Sequence, residues 1–207
     1  ISVDAQAKQS HYSKAAQLAS AVEMFEKAGE LYLKALKVTP DDAELMEQLS
    51  SIYRLTEAWE ELVELLETRS NLLETEEAIG VLLEAAHVAS ENMEAPSRAL
   101  AICRLVLDRD AANRDALLIM TDILSTQGKQ QEYLDALEGL AEISQGDEQL
   151  EILWKLKDLA VEMDDQEAAI AYVQRILDSD PGNVRALEQK IELLKNSENL
   201  YNLVSTY

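Results

Sequence analysis

The chain has 207 residues, with 18 Lys plus Arg against 40 Asp plus Glu, giving a formal net charge of −22. That field repels polyanions and offers no clustered cations for phosphate, so nucleic acid and anionic membrane surfaces are excluded as expected partners. Apolar residues make up 47% of the chain, enough to bury a core, and only six Gly and three Pro punctuate it, which favours long helices over a turn-rich all-β fold.

The spacing of apolar residues predicts helices over 6–21 and 23–38, followed by the polar turn that contains Pro40. Helices over 42–55 and 57–72 are parted at Thr56 and Glu57. The next pair, 77–91 and 96–109, is parted by Asn92 to Pro96, and Pro96 suits the first turn of a helix. Gly128 separates 113–127 from 129–144, and Asp164 and Asp165 separate 148–162 from 165–179. A last pair is expected over 183–195 and 197–206. Glu and Asp gather at the helix starts, where they face the positive end of the helix dipole. No stretch approaches the roughly 18 apolar residues needed to span a bilayer.

These pairs recur. Residues 35–45 read A-L-K-V-T-P-D-D-A-E-L, residues 106–117 read V-L-D-R-D-A-A-N-R-D-A-L, and residues 176–187 read I-L-D-S-D-P-G-N-V-R-A-L. Pro40, Ala111 and Pro181 hold equivalent places, 71 and 70 residues apart, which is two units of about 35 residues each. The period divides the chain into repeats at 9–42, 43–76, 77–112, 113–147, 148–183 and 184–207, the last incomplete, in one array over 1–207.

The second predicted helix carries Ala28, Tyr32, Ala35 and Pro40, and the first carries Tyr12, Ala15, Ala16 and Ala19. The second repeat offers Met46, Leu49, Ser50, Tyr53, Trp59 and Leu62, the fourth Leu117, Met120, Thr121, Leu124 and Gly128, and the fifth Leu153, Leu156, Ala160, Ala169, Val173, Ile176 and Pro181. With these residues the chain resembles the tetratricopeptide repeat (TPR) family of helical hairpins. The resemblance implies an all-α fold, a right-handed α-solenoid of stacked helix-turn-helix repeats in a TPR-like superhelix. Two departures stand out. The third repeat has about two extra residues and no clear aromatic, and the proline is missing from three of the five turns between repeats.

Catalytic chemistry is not expected. His11 and His87 lie about two repeats apart, and the chain has no H-E-x-x-H motif, no Cys pair and no Gly-rich phosphate loop. No cofactor or metal is implied. Asp41–Asp42 and Asp164–Asp165 lack the alternating ligands of a calcium loop and read as helix caps. Cys103 lies among apolar neighbours and reads as a buried, inert thiol; as the single cysteine it forms no intrachain disulfide, which favours a reducing, cytoplasmic setting.

In the family that the chain resembles, the first helix of each hairpin lines a concave groove. Mapping that face gives Ser13 and Gln17, then Glu44, Glu47, Gln48 and Ser51, then Asp115, Leu118, Ile119 and Asp122, then Glu151, Trp154, Lys155 and Asp158, and last Arg185, Glu188, Gln189 and Glu192. Ser13, Gln17, Glu47 and Gln48 supply no cationic clamp for acidic peptide tails. Leu118, Ile119 and Trp154, rimmed by Asp115, Asp122, Glu151 and Asp158, form the candidate binding strip, suited to a basic, amphipathic partner segment. A register error of one residue would bury Leu118 and Trp154 instead. Trp59, at the start of a second helix, is expected in the core.

Charge falls in blocks: residues 41–100 sum to −12 and residues 131–170 to −10, about a neutral stretch over 101–130. The expected role is a non-enzymatic scaffold for a protein or peptide partner. The alternatives are a self-assembling module, in which an uncapped end near Tyr207 stacks on another copy, or the regulatory repeats of a longer protein with its catalytic domain elsewhere. Ile1 in place of Met fits a processed chain or a piece of a longer one.

Overall fold

The computed structural model describes residues 3–196; the predicted helix over 197–206 lies outside them. The described residues form eleven α-helices and no strand: α1 Val3–Ala21, α2 Phe25–Leu36, α3 Ala43–Leu55, α4 Trp59–Ser70, α5 Thr75–His87, α6 Pro96–Leu107, α7 Arg114–Gln127, α8 Gln130–Ile143, α9 Gly146–Glu162, α10 Gln166–Ser179 and α11 Val184–Asn196. Each overlaps one predicted helix, with ends that differ by four residues at most.

Contacts group the chain into two compact units, Ile1–Ile119 and Met120–Tyr207, with the boundary inside α7. In the first unit each helix packs on the next in chain order, from α1 on α2 through α5 on α6. In the second unit α8 packs on α9, α9 on α10 and α10 on α11.

The pattern of buried residues explains this packing. In α2, Ala28, Gly29, Tyr32, Ala35 and Leu36 are buried, a spacing of three and four that lines one helix face. All but Gly29 join Ala16, Ala19, Leu45, Met46, Leu49 and Ile52 in one core cluster, with Tyr12, Phe25 and Tyr53 packed against it. Small residues bring helices together and large ones fill the holes between them. Trp59 is only half-buried at the first position of α4. The helix end holds its ring at the edge of the core, so the expectation of a core tryptophan is corrected.

The turns inside the first five hairpins share one backbone feature. Residues with positive φ stand at Glu23 (60°), Glu57 (55°), Glu94 (48°), Gly128 (67°) and Asp164 (61°), in steps of 34, 37, 34 and 36 residues. They are the left-handed residues that end the first helix of a pair. The next amide reaches five residues back in three of them: Met24 N–H to Ala19 O at 2.9 Å, Ala58 N–H to Tyr53 O at 2.9 Å, and Asp165 N–H to Ala160 O at 2.8 Å. In the third hairpin Ala95 N–H reaches six back, to Ala89 O at 2.8 Å. There the helix ends in a π turn, Val88–Asn92, which accommodates extra length within the third repeat.

Three of the turns between hairpins, those before α3, α7 and α11, are made by side chains, whereas α5 and α9 start without a side-chain cap. Asp42 caps α3 by accepting from Leu45 N–H at 3.0 Å. Before α7, Asp110 accepts from Ala112 N–H at 3.2 Å and from Asn113 Nδ2 at 3.1 Å, and Asn113 Oδ1 accepts from Ala116 N–H at 3.1 Å. Before α11 the same D-x-x-N pattern recurs: Asp180 accepts from Gly182 N–H and Asn183 Nδ2, each at 3.2 Å, and Asn183 accepts from Ala186 N–H at 3.1 Å. The similarity of residues 106–117 and 176–187 thus has a structural cause.

A pair of glycines tests the turn reading. Gly80 lies inside α5 and Gly128 in a turn at φ 67°, and a Cβ at either would meet nothing within 4 Å. With no steric contact to separate them, only the backbone differs. Gly80→Ala is expected to stabilise the chain by about 0.5–1 kcal/mol and Gly128→Ala to destabilise it by about 1 kcal/mol. Urea unfolding of the two variants would show shifts of opposite sign.

Candidate functional site

Among the described residues, no group of three or more His, Cys, Asp and Glu side chains is placed to hold a metal ion. The histidines lie on the surface. The His11 ring sits 2.6 Å from Ala7 O on its own helix, and His87 Nδ1 lies 3.7 Å from Glu91. Cys103 is fully buried in α6, and burial pushes its thiol up to about 11. It is expected to resist alkylation in the native state at neutral pH and to react at once in denaturant; rapid native labelling would overturn that.

The first-helix face in unit one is polar. Ser13 and Gln17 of α1 and Glu44 and Gln48 of α3 line one shallow pocket of about 120 Å³ with Gln9 and Asp42, so the structure brings together residues that the sequence assigned to one face. Glu47 is part of a charge network. Arg54 of α3 forks onto Glu84 of α5, with Nε at 2.6 Å and Nη2 at 3.0 Å, and its Nη1 lies 3.5 Å from Glu47. Glu47 also accepts from Arg69 at the end of α4. The Glu84 hydrogen bond is the main cause that raises the Arg54 pKa. Both guanidinium groups on this face are therefore already held by carboxylates, and neither is offered to an acidic tail.

Further along unit one, Leu118 is 42% exposed on α7 and Asp115 is exposed beside it, whereas Ile119 keeps only 9% of its surface. Ile119 therefore belongs to the core side of α7 and leaves the candidate strip. Leu118 stays out of the core.

In unit two Asp122 is exposed on the remainder of α7. Glu151, Trp154 and Asp158 stand at i, i+3 and i+7 of α9, hence on one helix face. Both carboxylates are exposed, and Trp154 is half-buried. Arg185 of α11 lays its guanidinium 4.2 Å from the centre of the Trp154 ring, and Lys157 Nζ lies 5.7 Å from it. Both are within the range of a cation–π contact. Lys157 is 7% exposed; its ammonium donates to Asp158 and to Gln189 Oε1 at 3.4 Å. Gln189 Nε2 in turn donates to Glu192 at 3.2 Å. Lys155 and Glu188 are exposed. The first helices of successive hairpins thus meet, and an aromatic ring loaded with cations lies between them.

No family model matches the sequence, and neither does any curated protein. Solved structures do match. Against the structure of Naa15/Naa10 bound to HypK-THB the TM-score is 0.61 at 14% identity, over 97% of this chain and 31% of that one. A tetratricopeptide repeat protein from Parabacteroides merdae ATCC 43184 gives 0.48 at 12% identity, over 96% of this chain and 77% of that one. YrrB, a TPR protein with an unusual peptide-binding site, gives 0.47 at 20% identity, over 86% and 90%. The described residues form an all-α array of paired helices, a fold shared with part of the first of these structures. Within that fold α1, α3, α5, α7, α9 and α11 are the first helices of the hairpins and α2, α4, α6, α8 and α10 the second.

Two features of this face are absent from the sequence mapping. Lys157 follows Trp154 by three residues, and that spacing alone would have placed it near the ring. The Arg54–Glu84 pair joins residues 30 apart, close to one repeat length, which was a readable signal once the period was known.

Proposed function

We propose that the chain is a protein-interaction scaffold that holds a basic, amphipathic segment of a partner protein against the first-helix faces of its hairpins. The observation that carries this reading is Trp154: a large ring left half-buried, stacked on Arg185, between the exposed carboxylates of Glu151 and Asp158. The exposed part of the ring can pack against an apolar anchor from outside, and the acidic rim steers basic chains toward it. In unit one, Leu118 with Asp115 repeats the chemistry on a smaller scale. Asp122 adds a further exposed carboxylate in unit two. The network of Arg54, Arg69, Glu47 and Glu84 speaks against an acidic peptide on unit one, because each cation there is neutralised.

The test is capture of cell proteins on the immobilised chain, beside Leu118→Glu and Trp154→Ala variants, at low and high salt. A partner retained by the wild type, lost by the variants and released by salt is the expected result. A partner that both variants retain would move binding to another surface. Retention of nothing except the chain itself would favour self-assembly.

A further inference from the structure

The edge where the first two hairpins turn carries a second surface, which belongs to unit one alone. Val22, Met24 and Leu55 are 65%, 56% and 61% exposed. Single exposed apolar side chains are ordinary, but these three adjoin one depression. Met24 lines it with Glu23, Phe25, Glu26, Lys27 and Thr56, around an open volume of about 460 Å³. Val22 and Leu55 directly precede lining residues in the chain. The turns that present them are fixed by the left-handed residues Glu23 and Glu57 and by the bonds from Met24 N–H to Ala19 O and from Ala58 N–H to Tyr53 O.

The rim decides what fits. Lys27 is taken by Glu30 at 2.7 Å. Glu23, Glu26 and Glu57 are exposed, and among the described residues no cation pairs with their carboxylates. A second copy of the chain would bring a net charge of −22 to an edge that is itself acidic, so like charge disfavours it. An apolar floor with a carboxylate rim is complemented by apolar side chains interleaved with lysine or arginine.

We propose that this turn edge is a second docking surface for an amphipathic, basic segment of a partner protein. Its apolar side chains rest on Met24, Phe25 and Leu55, and its cations pair with Glu23, Glu26 and Glu57. The surface is distinct from the Trp154 face and does not depend on it.

A fluorescently labelled amphipathic Leu/Lys peptide is the probe, with its Leu/Glu counterpart as the charge control, followed by anisotropy on the whole chain and, for every comparison below, on the chain carrying Trp154→Ala and Leu118→Glu, so that binding to the first-helix faces is removed from the signal. The Leu/Lys peptide is expected to bind and the Leu/Glu peptide not. Met24→Glu with Leu55→Glu should weaken binding about tenfold or more, even though it adds two negative charges that favour the peptide electrostatically. Glu23→Gln, Glu26→Gln and Glu57→Gln together should weaken it and flatten its salt dependence. Removing three exposed carboxylates of unit two, with Glu142→Gln, Glu162→Gln and Glu167→Gln, should change the affinity less than twofold. Circular dichroism checks that each variant is folded, and Met24→Ala with Leu55→Ala replaces any glutamate variant that is not. Binding unaffected by the Met24 and Leu55 changes, or weakened equally by the unit-two control, would overturn the proposal. So would sedimentation showing that the wild type self-associates and Leu55→Glu does not, since the occupant would then be a second copy.

Discussion

Replacing Trp154 with alanine should weaken binding of the partner segment by about 2–4 kcal/mol, roughly thirtyfold to a thousandfold in Kd. Interface energy concentrates in large aromatic side chains that are held in place before binding and ringed by groups that exclude water. Trp154 meets the first of those conditions. Its ring is half-buried, so it loses little freedom on binding, and Arg185 at 4.2 Å fixes one contact. Glu151 and Asp158 stand on the same helix face and add the charge that favours a basic segment. Trp154→Phe should recover most of the affinity, because an aromatic face remains. Calorimetry with the captured partner would measure all three proteins. A change of less than twofold in Trp154→Ala would remove this residue from the interface.

Leu156→Ala, two residues further along the same helix, should instead cost about 2–5 kcal/mol of folding stability. Leu156 has no exposed surface and is among the largest fully buried side chains. Its truncation leaves a cavity that neighbouring helices cannot fill without leaving their own contacts. In a unit of this size the loss corresponds to a fall in Tm of about 10 °C or more. Repeat folds are held by neighbour-to-neighbour contacts, so hydrogen exchange should quicken most in α8, α9 and α10. Thermal unfolding of Leu156→Ala beside Trp154→Ala separates the roles on α9: the first variant should lose stability, and the second should lose binding with a small change in Tm. A Leu156→Ala chain as stable as the wild type would contradict the packing of α9.

The sequence revealed the helices because each follows a spacing of three and four and ends at a residue with a local reason to stop. Asp42 and Asp165 cap as acidic pairs before a helix should, and Gly128 takes the left-handed angle that its place in T-Q-G-K-Q implies. Glu23 is less legible: a glutamate gives no sign that its backbone must turn left-handed, so the spacing puts the first hairpin's break at residue 22, whereas the second helix starts at Phe25. The site was legible only in part. Leu118 is exposed and Trp154 half-buried, while Ile119, adjacent to Leu118, faces inward, because a groove strip one residue wide lies within the error of any helical register. Pairings such as Arg185 on Trp154 depend on which rotamers the neighbouring helix leaves open, and no periodicity reports that.

The π turn at Val88–Asn92 has a bearing on how such a chain changes over generations. An inserted residue in an ordinary helix would rotate everything after it by about 100° and turn the apolar side of α6 away from its neighbours. Here the surplus is spent in one widened turn, and Ala99, Leu100, Ile102 and Cys103 of α6 remain buried. A codon gained at this spot is absorbed locally, and later hairpins need no compensating deletion. Repeats of unequal length can therefore coexist in one lineage while their buried faces stay in phase.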